Sequence, residues 1–184
     1  MTDIPETVVL VADDGTPVGT APKATVHSTE TPLHLAFSCH VFDDRGRVLV
    51  TRRALAKKTW PGVWTNAFCG HPAPEEPMVD ALVRRAERKL GLALTDVRVS
   101  LPDFRYRAVD ASGVVENEIC PVYIARTDDE VAPNPLEVVE ARWVDPEELG
   151  SSLATTPWAF SPWLVLQSQQ LRIFESPQLQ RRAS

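Results

Sequence analysis

Cys69-Gly70-His71-Pro72, followed by Glu75-Glu76-Pro77-Met78-Val79-Asp80-Ala81-Leu82-Val83-Arg84-Arg85-Ala86-Glu87-Arg88-Lys89-Leu90-Gly91, joins a short reactive segment to an amphipathic helix. If the first segment is extended, residues i and i+2 share a side, so the Cys69 thiol and His71 imidazole point the same way. The helix is expected from about Pro77 to Leu90. Pro77 suits a first helical position, and Glu75 and Glu76 sit at the positive end of the helix dipole. Val79, Leu82, Val83, Ala86 and Leu90 mark a buried stripe, and Gly91 supplies the stop.

Outward from this unit the chain alternates extended runs with turns. Val8 to Val11 reads as a strand closed by Asp13-Asp14-Gly15, and Leu35 to Phe42 and Arg47 to Thr51 read as a hairpin around Asp43-Asp44-Arg45-Gly46. A basic loop from Arg52 to Lys58 leads to Trp60-Pro61-Gly62-Val63-Trp64. Val114 to Ala125 reads as one strand, entered through Asp110-Ala111-Ser112-Gly113, and Glu140 to Val144 as another. Asp145-Pro146-Glu147-Glu148-Leu149 looks like a helix start, and a final helix is expected over Trp163 to Phe174. The tail from Ser176 to Ser184 is polar and expected to fray. Hairpins with interposed helices predict an α+β (mixed) fold, a sandwich of helices and sheet. No repeat or long linker divides the chain, so residues 1–184 are expected to form one domain.

Composition narrows the function class. With 184 residues and a formal net charge of −6, the chain lacks the basic surplus of a general nucleic-acid binder. No stretch approaches the apolar length of a membrane span, and the acidic start Met1-Thr2-Asp3-Ile4-Pro5-Glu6 has no secretory character. Cys39, Cys69 and Cys120 do not make a disulfide framework, which fits a reducing cytoplasm.

Glu116-Asn117-Glu118 repeats the i, i+2 logic with carboxylates. Two carboxylates on one strand face raise each other's pKa unless a cation lies between them. His27, His34, His40 and His71 are the four histidines of the chain. Imidazoles with carboxylates suit Mn²⁺, Zn²⁺ or Fe²⁺. Spacing alone does not choose which imidazoles bind. A charged edge strand explains Glu116 and Glu118 equally well when they are taken alone.

Several further stretches carry a family resemblance. His34-Leu35-Ala36-Phe37-Ser38, Thr51-Arg52-Arg53-Ala54-Leu55, Trp60-Pro61-Gly62-Val63-Trp64-Thr65-Asn66 and Cys69-Gly70-His71-Pro72 occur in order. Phe104-Arg105-Tyr106-Arg107, Glu116-Asn117-Glu118-Ile119-Cys120-Pro121-Val122 and Thr156-Pro157-Trp158-Ala159-Phe160-Ser161-Pro162-Trp163 follow. Together they span most of the chain, from about Lys23 to Leu166, and the chain resembles the type I isopentenyl-diphosphate isomerases.

The resemblance implies a Nudix-type αβα sandwich with a mixed β-sheet between helices. The core would cover about residues 32–168, with residues 1–31 contributing ligands. It implies interconversion of isopentenyl and dimethylallyl diphosphate in isoprenoid synthesis, by a protein that is monomeric or weakly dimeric. His27, His34, His71, Glu116 and Glu118 match ligands of one tightly bound divalent metal, Mn²⁺ or Zn²⁺. Cys69 and Glu118 match the acid–base pair, Tyr106 the phenol bonded to the catalytic carboxylate, and Trp163 the aromatic face beside the isoprenoid. Lys23, Arg53, Lys57 and Arg85 match positions that contact the diphosphate. His40 is left without a role.

Moving a double bond by one carbon requires a proton added at one end of the allyl unit and another removed at the far end. A positioned acid and base each contribute about 10²–10⁴ in rate. The five-carbon tail offers only about 0.8 kcal/mol per buried CH₂, so cations on the diphosphate must supply most of the binding.

The chain departs from its relatives in two respects. The carboxylate-rich box of the Nudix hydrolases is not kept around Gly70, Glu76, Arg84, Arg85, Ala86, Glu87, Arg88, Lys89, Leu90 and Gly91. This argues against a Nudix diphosphate hydrolase, one alternative; the other is a non-catalytic diphosphate-binding module. Lys89 also stands where isomerases of this family keep a glutamate that helps hold Mg²⁺ on the diphosphate. Glu87 does not replace it, since two helical residues place it about 200° around the axis. The resemblance implies Mg²⁺ with the diphosphate, and Lys89 puts that ion in question: it contacts the diphosphate directly, partly substituting for Mg²⁺, or complements the helix C-terminus, or impairs catalysis.

Overall fold

Two runs that read as continuous strands are each broken once, and the breaks organise the molecule. The computed structural model describes residues 6–174; the expected polar tail from Ser176 to Ser184 lies outside the described residues. The strands are β1 (Thr7–Val11), β2 (Pro17–Pro22), β3 (His34–Leu35), β4 (Phe37–Phe42), β5 (Val48–Arg53), β6 (Trp64–Asn66) and β7 (Phe68–Gly70). After them come β8 (Thr95–Leu101), β9 (Arg105–Val109), β10 (Val115–Ile119), β11 (Val122–Arg126) and β12 (Val138–Val144). The helices are α1 (Lys23–Val26), α2 (Met78–Leu90), α3 (Pro146–Thr155) and α4 (Pro162–Ser168).

The expected α+β arrangement holds, with the strands divided between two sheets. One has the order β2-β1-β3-β10-β9, the other β12-β5-β4-β11-β8, with β6 on β5 and β7 on β4. The run Leu35–Phe42 passes from the first sheet to the second at Ala36, and the run Val114–Ala125 does so at Cys120-Pro121. Pro121 has no N–H to give a ladder, which favours the break there. The two crossings lie side by side. Glu118 pairs with His34 in parallel before them and Val122 with Ser38 in parallel after them. The Ala36 amide donates to the Ile119 carbonyl and the Ser38 amide to the Pro121 carbonyl, holding the crossings together.

Helix α2 covers one face of the second sheet, packing Ala81, Leu82, Ala86 and Leu90 against Phe37, Cys39, Val41 and Leu49. The opposite face, with Ala36, Val48, Val50 and Val122, packs on Leu149 and Leu153 of α3 and Trp163 and Leu164 of α4. The buried stripe of α2 differs from the expected one. Val79 and Val83 are 49% and 42% exposed, whereas Arg85 is only 2% exposed. The helix is rotated so that two alanines approach the sheet and the aliphatic stem of Arg85 lies over Gly70. A Cβ at Gly70 would sit 2.7 Å from Phe37 Cζ and 2.8 Å from Arg85 Cγ, so only glycine allows this approach. Pro77 is the N-cap rather than the first helical residue, and Gly91 ends the helix at φ 65°.

Asp145 caps α3 as expected, accepting from the amides of Glu147 and Glu148. The final helix stops at Ser168, well short of Phe174. The amides of Gln170 and Leu171 both turn back to the Gln167 carbonyl, and a 3₁₀ turn at Arg172–Phe174 follows. This turn buries Leu171 and Phe174, which a straight continuation would carry away from α3.

Replacing Gly70 with Ala is expected to cost about 1–3 kcal/mol through overpacking. Urea denaturation would register this as a lower midpoint at unchanged slope. An unchanged midpoint would refute the close-approach account.

Candidate active site

The parallel pairing of β3 with β10 sets the His34 imidazole beside the Glu118 carboxylate, with 3.4 Å between Nε2 and Oε1. His71 follows β7 directly, and its Nε2 lies 3.1 Å from the same Glu118 oxygen. His27 closes α1 and brings a third ring, with centroids 5.1 Å from His34 and 5.9 Å from His71. One ligand atom from each of His27, His34, His71 and Glu118 lies within 4.8 Å of all the others. His34 Nδ1 bonds the Pro32 carbonyl at 2.9 Å, which fixes the tautomer and leaves Nε2 bare. Nε2 of His27, Nε2 of His34 and Nδ1 of His71 are buried without a hydrogen-bond partner.

Burial, followed by the charge of His71, lowers His27 to about 4. Burial also lowers His71 to about 4, against the pull of its bond to Glu118. His34 is raised instead, because burial is outweighed by Glu118 and the Pro32 carbonyl. Burial pushes Glu118 up, but the adjacent His34 ring and the bond to His71 outweigh it and hold the carboxyl well below its usual range. Three imidazoles with unshared nitrogens around an ionised carboxylate form a donor set for a divalent metal ion.

Glu116, the fifth expected ligand, stands beside this group rather than within it. Its Oε1 accepts from Thr59 Oγ1 at 2.5 Å and its Oε2 from Tyr106 Oη at 2.8 Å. Tyr106 faces Glu118 across the β9–β10 pair, and its Oη is 2.9 Å from Glu118 Oε2. One phenolic proton is therefore shared between two carboxylates. Burial, with both carboxylates adding to it, raises the Tyr106 pKa far above its usual value, so the phenol stays a donor. Burial, then the like charge of Glu118, raises Glu116.

Cys69 lies on β7 opposite Ser38 of β4. Its Sγ is 3.2 Å from Ser38 Oγ and donates to Asn66 Oδ1 at 3.3 Å. Burial raises the thiol, against the Ser38 bond and the nearby Lys89 charge. Asn66 Oδ1 also accepts from Trp163 Nε1 at 3.1 Å, fixing the plane of an indole that is 1% exposed. The Arg53 guanidinium lies 5.1 Å from the centroid of that indole. Cys69, Tyr106, Glu116, Glu118 and Trp163 line one cavity of about 460 Å³, together with His27, His71, Lys23, Arg53, Lys57 and Lys89. Arg85 sits behind Gly70, and His40 faces α4, where it bonds Gln167.

Lys23, Arg53, Lys57 and Lys89 line this cavity, whereas Arg85 lies outside its lining; all but Arg53, which bonds the Thr59 and Trp60 carbonyls, are already matched to a carboxylate. Glu6 receives Lys23 at 2.5 Å, Arg85 at 2.6 Å and also Arg88. Glu137 receives Lys57 at 2.5 Å and lies 3.4 Å from Lys89. The Lys89 ammonium donates to the Cys69 carbonyl at 2.7 Å rather than to the end of its own helix. Burial lowers Lys89 to about 7 despite Glu137, while Lys89 and Lys57 overcome burial to hold Glu137 at about 2. Sequence reasoning missed Glu6, Glu137, Thr59 and Asn66. Only Asn66 had a signal, its place in the quoted Trp60–Asn66 stretch.

The NUDIX domain family matches residues 32–164. A Clavibacter sepedonicus protein named isopentenyl-diphosphate Delta-isomerase is 67% identical over 162 residues, 88% of this chain and 85% of that protein. The Agromyces mediolanus protein of the same name is 64% identical over 166 residues, 90% of this chain and 81% of its own length. Among solved structures, one from Deinococcus radiodurans covers 90% of this chain and 98% of its own, with TM-score 0.69 at 19% identity. A MutT NUDIX hydrolase from Burkholderia pseudomallei covers 76% of this chain and 98% of its own, with TM-score 0.57 at 22% identity. At such identities the structural likeness speaks for the fold alone. The length and level of the sequence matches go further: the chain belongs to the isopentenyl-diphosphate Delta-isomerase family, built on a NUDIX domain.

Proposed function

We propose that the chain interconverts isopentenyl and dimethylallyl diphosphate, with Cys69 and Glu118 as the acid–base pair. The observation that carries this reading is that a thiol and a carboxylate from different strands line one cavity that also contains an indole and several cations. One of the pair adds a proton to the allyl unit and the other removes one from its far end. Tyr106 donates to the carboxylates and holds Glu118 in orientation. The Trp163 indole faces the positive charge that develops on carbon, an interaction worth about 2 kcal/mol when dry. Arg53 already lies over that ring, so a diphosphate that draws its charge away frees the indole for this task.

His27, His34, His71 and Glu118 would hold the tight metal, Mn²⁺ or Zn²⁺, with Glu116 as a further ligand once its bonds to Thr59 and Tyr106 rearrange. When bound, such an ion tunes the basicity of the carboxylate it contacts. Lys23, Arg53, Lys57 and Arg85 would bind the diphosphate, with Lys23, Lys57 and Arg85 exchanging Glu6 and Glu137 for it. A separate Mg²⁺ near Lys89 does not fit. The nearby oxygen donors, the Cys69 carbonyl and the Glu137 carboxylate, already face an ammonium. Lys89 would contact the diphosphate itself. Among the described residues, no helix is long and apolar enough to cross a membrane. Three free cysteines support a reducing cytoplasm as the setting. The shared sheet of β1, β3 and β10 supports one domain that includes the N-terminal segment.

Conversion of isopentenyl to dimethylallyl diphosphate tests the reading, and Cys69→Ala and Glu118→Gln are each expected to lose roughly 10²–10⁴ in rate. Full rate in both would remove the acid–base assignment, and release of phosphate would favour hydrolysis instead. His34→Ala is expected to lose the bound metal, measured as metal content per chain. Undiminished metal content would break the ligand assignment. Wild-type activity is expected to change little with added Mg²⁺, whereas Lys89→Glu becomes Mg²⁺-dependent. An equally strict Mg²⁺ requirement in both proteins would reject the role given to Lys89.

A further inference from the structure

His40 lies outside the metal cluster, yet it begins a buried polar chain that ends at Cys69. His40 Nε2 is 3.0 Å from Gln167 Oε1, Gln167 Nε2 donates to Ser38 Oγ at 2.9 Å, and Ser38 Oγ is 3.2 Å from Cys69 Sγ. Ser38, His40 and Gln167 are all 0% exposed. Ser38 and His40 share one face of β4 by the strand period of two, and Gln167 reaches both from α4. The surroundings are apolar, with Val122, Trp163, Leu164 and Phe174 in the same core. Burying three polar side chains in such a core costs stability that aliphatic residues would not. No disulfide, fold crossing or helix cap uses them.

The donors along this chain all point one way. The Gln167 oxygen faces His40, so the imidazole carries its proton on Nε2, and the partnerless Nδ1 is the bare nitrogen. Ser38 Oγ accepts from the Gln167 amide, which leaves its own O–H for sulfur. Two sulfurs are in reach, and Cys69 at 3.2 Å is nearer than Cys120 at 3.5 Å. On its other side Cys69 gives its proton to Asn66 Oδ1, an oxygen fixed because Asn66 Nδ2 donates to the carbonyls of Cys39 and Phe68. The sulfur thus receives one hydrogen bond and gives one. Aligned hydrogen bonds polarise one another, so a donor at the end of such a chain is stronger than an isolated hydroxyl.

In both directions of isomerisation Cys69 holds a proton in one state and has released it in the other. On release the S–H bond breaks, its electron pair stays on sulfur, and the proton forms a bond to carbon. We propose that Ser38, backed by Gln167 and His40, is a positioning residue that aims the Cys69 sulfur and presents it with an O–H hydrogen bond. Its O–H is in place before the negative charge appears, the arrangement that makes electrostatic stabilisation effective. This proposal rests on the reading of Cys69 as half of the acid–base pair.

The test is a double-mutant cycle of Ser38→Ala and Gln167→Leu, read by isomerisation kinetics and by alkylation of Cys69 with iodoacetamide at one fixed pH. Ser38→Ala is expected to lower kcat roughly tenfold or more with KM little changed, the pattern of an interaction that matters in the transition state. Gln167→Leu is expected to lose less, and the double variant no more than Ser38→Ala alone, because both act through one chain. Alkylation of the Cys69 peptide, followed by mass spectrometry, is expected to slow in parallel. Melting temperatures of all three variants, measured alongside, confine the comparison to folded protein. Wild-type kcat and alkylation rate in Ser38→Ala, or full additivity in the cycle, would overturn the proposal. Absence of isomerisation in the wild type would overturn the proposed function instead, and the alkylation rates would still decide the role of Ser38.

Discussion

The site depends on two chain crossings lying side by side. Ala36 and Cys120-Pro121 each carry the backbone from one sheet to the other, and the crossings are joined by direct amide-to-carbonyl bonds. That parallel register leaves little freedom. Before the crossings it sets His34 against Glu118, and after them it sets Ser38 against Val122. Because β7 adds to β4 with Cys69 opposite Ser38, the thiol is carried to the same seam. A slip of one residue in either pairing would turn the imidazole or the thiol to the opposite face. The chemistry thus inherits its geometry from backbone hydrogen bonds, which are stiffer than any side-chain contact among the groups themselves.

The polar groups gathered at this seam are costly to bury, and the fold offsets the cost by giving most of them partners. Tyr106 serves two carboxylates with one proton, and Asn66 Oδ1 serves the thiol, the indole and Thr65. What remains without a partner is a set of imidazole nitrogens and Arg85 Nε. Three of those nitrogens belong to the metal cluster, where an ion would satisfy them. Stability and ion binding are therefore coupled through atoms that the protein alone leaves unsatisfied.

Much of this was legible in the sequence, for reasons that can be stated residue by residue. The i, i+2 spacing of Glu116 with Glu118 survives because β10 enforces it, and Cys69 and His71 still line one cavity although His71 lies just past the end of β7. Helix α2 was legible because proline, apolar period and glycine agreed on its limits, although its rotation was not. Choosing between Val83 and Arg85 as the inward residue required knowing that Gly70 opens a slot for the arginine stem. The strand breaks were hidden inside apolar runs, and Pro121 was the one local clue. Glu6 and Glu137 carry no spacing signal, since each is a single acid met by cations from remote segments. The Ser38–Gln167 contact joins residues 129 apart and no motif announces it. Strand β8 was overlooked although Val97, Val99 and Leu101 alternate with polar residues, because the run lacks the unbroken apolar stretch that marked the buried strands.

Glu6 and Glu137 also change what recognition means at this cavity. Lys23, Lys57, Arg85 and Lys89 are not bare charges awaiting an anion; each rests against a carboxylate of the protein's own. An anion that bound these cations would exchange with the resident carboxylates, and only the difference between the two would contribute to affinity. A guest with a single diffuse charge offers the cations little that they lack. A guest with several charges crowded on adjacent groups can engage both clusters at once. On the proposed function, the resident acids would act as a threshold on charge density, sorting ligands before the hydrophobic wall meets a carbon chain.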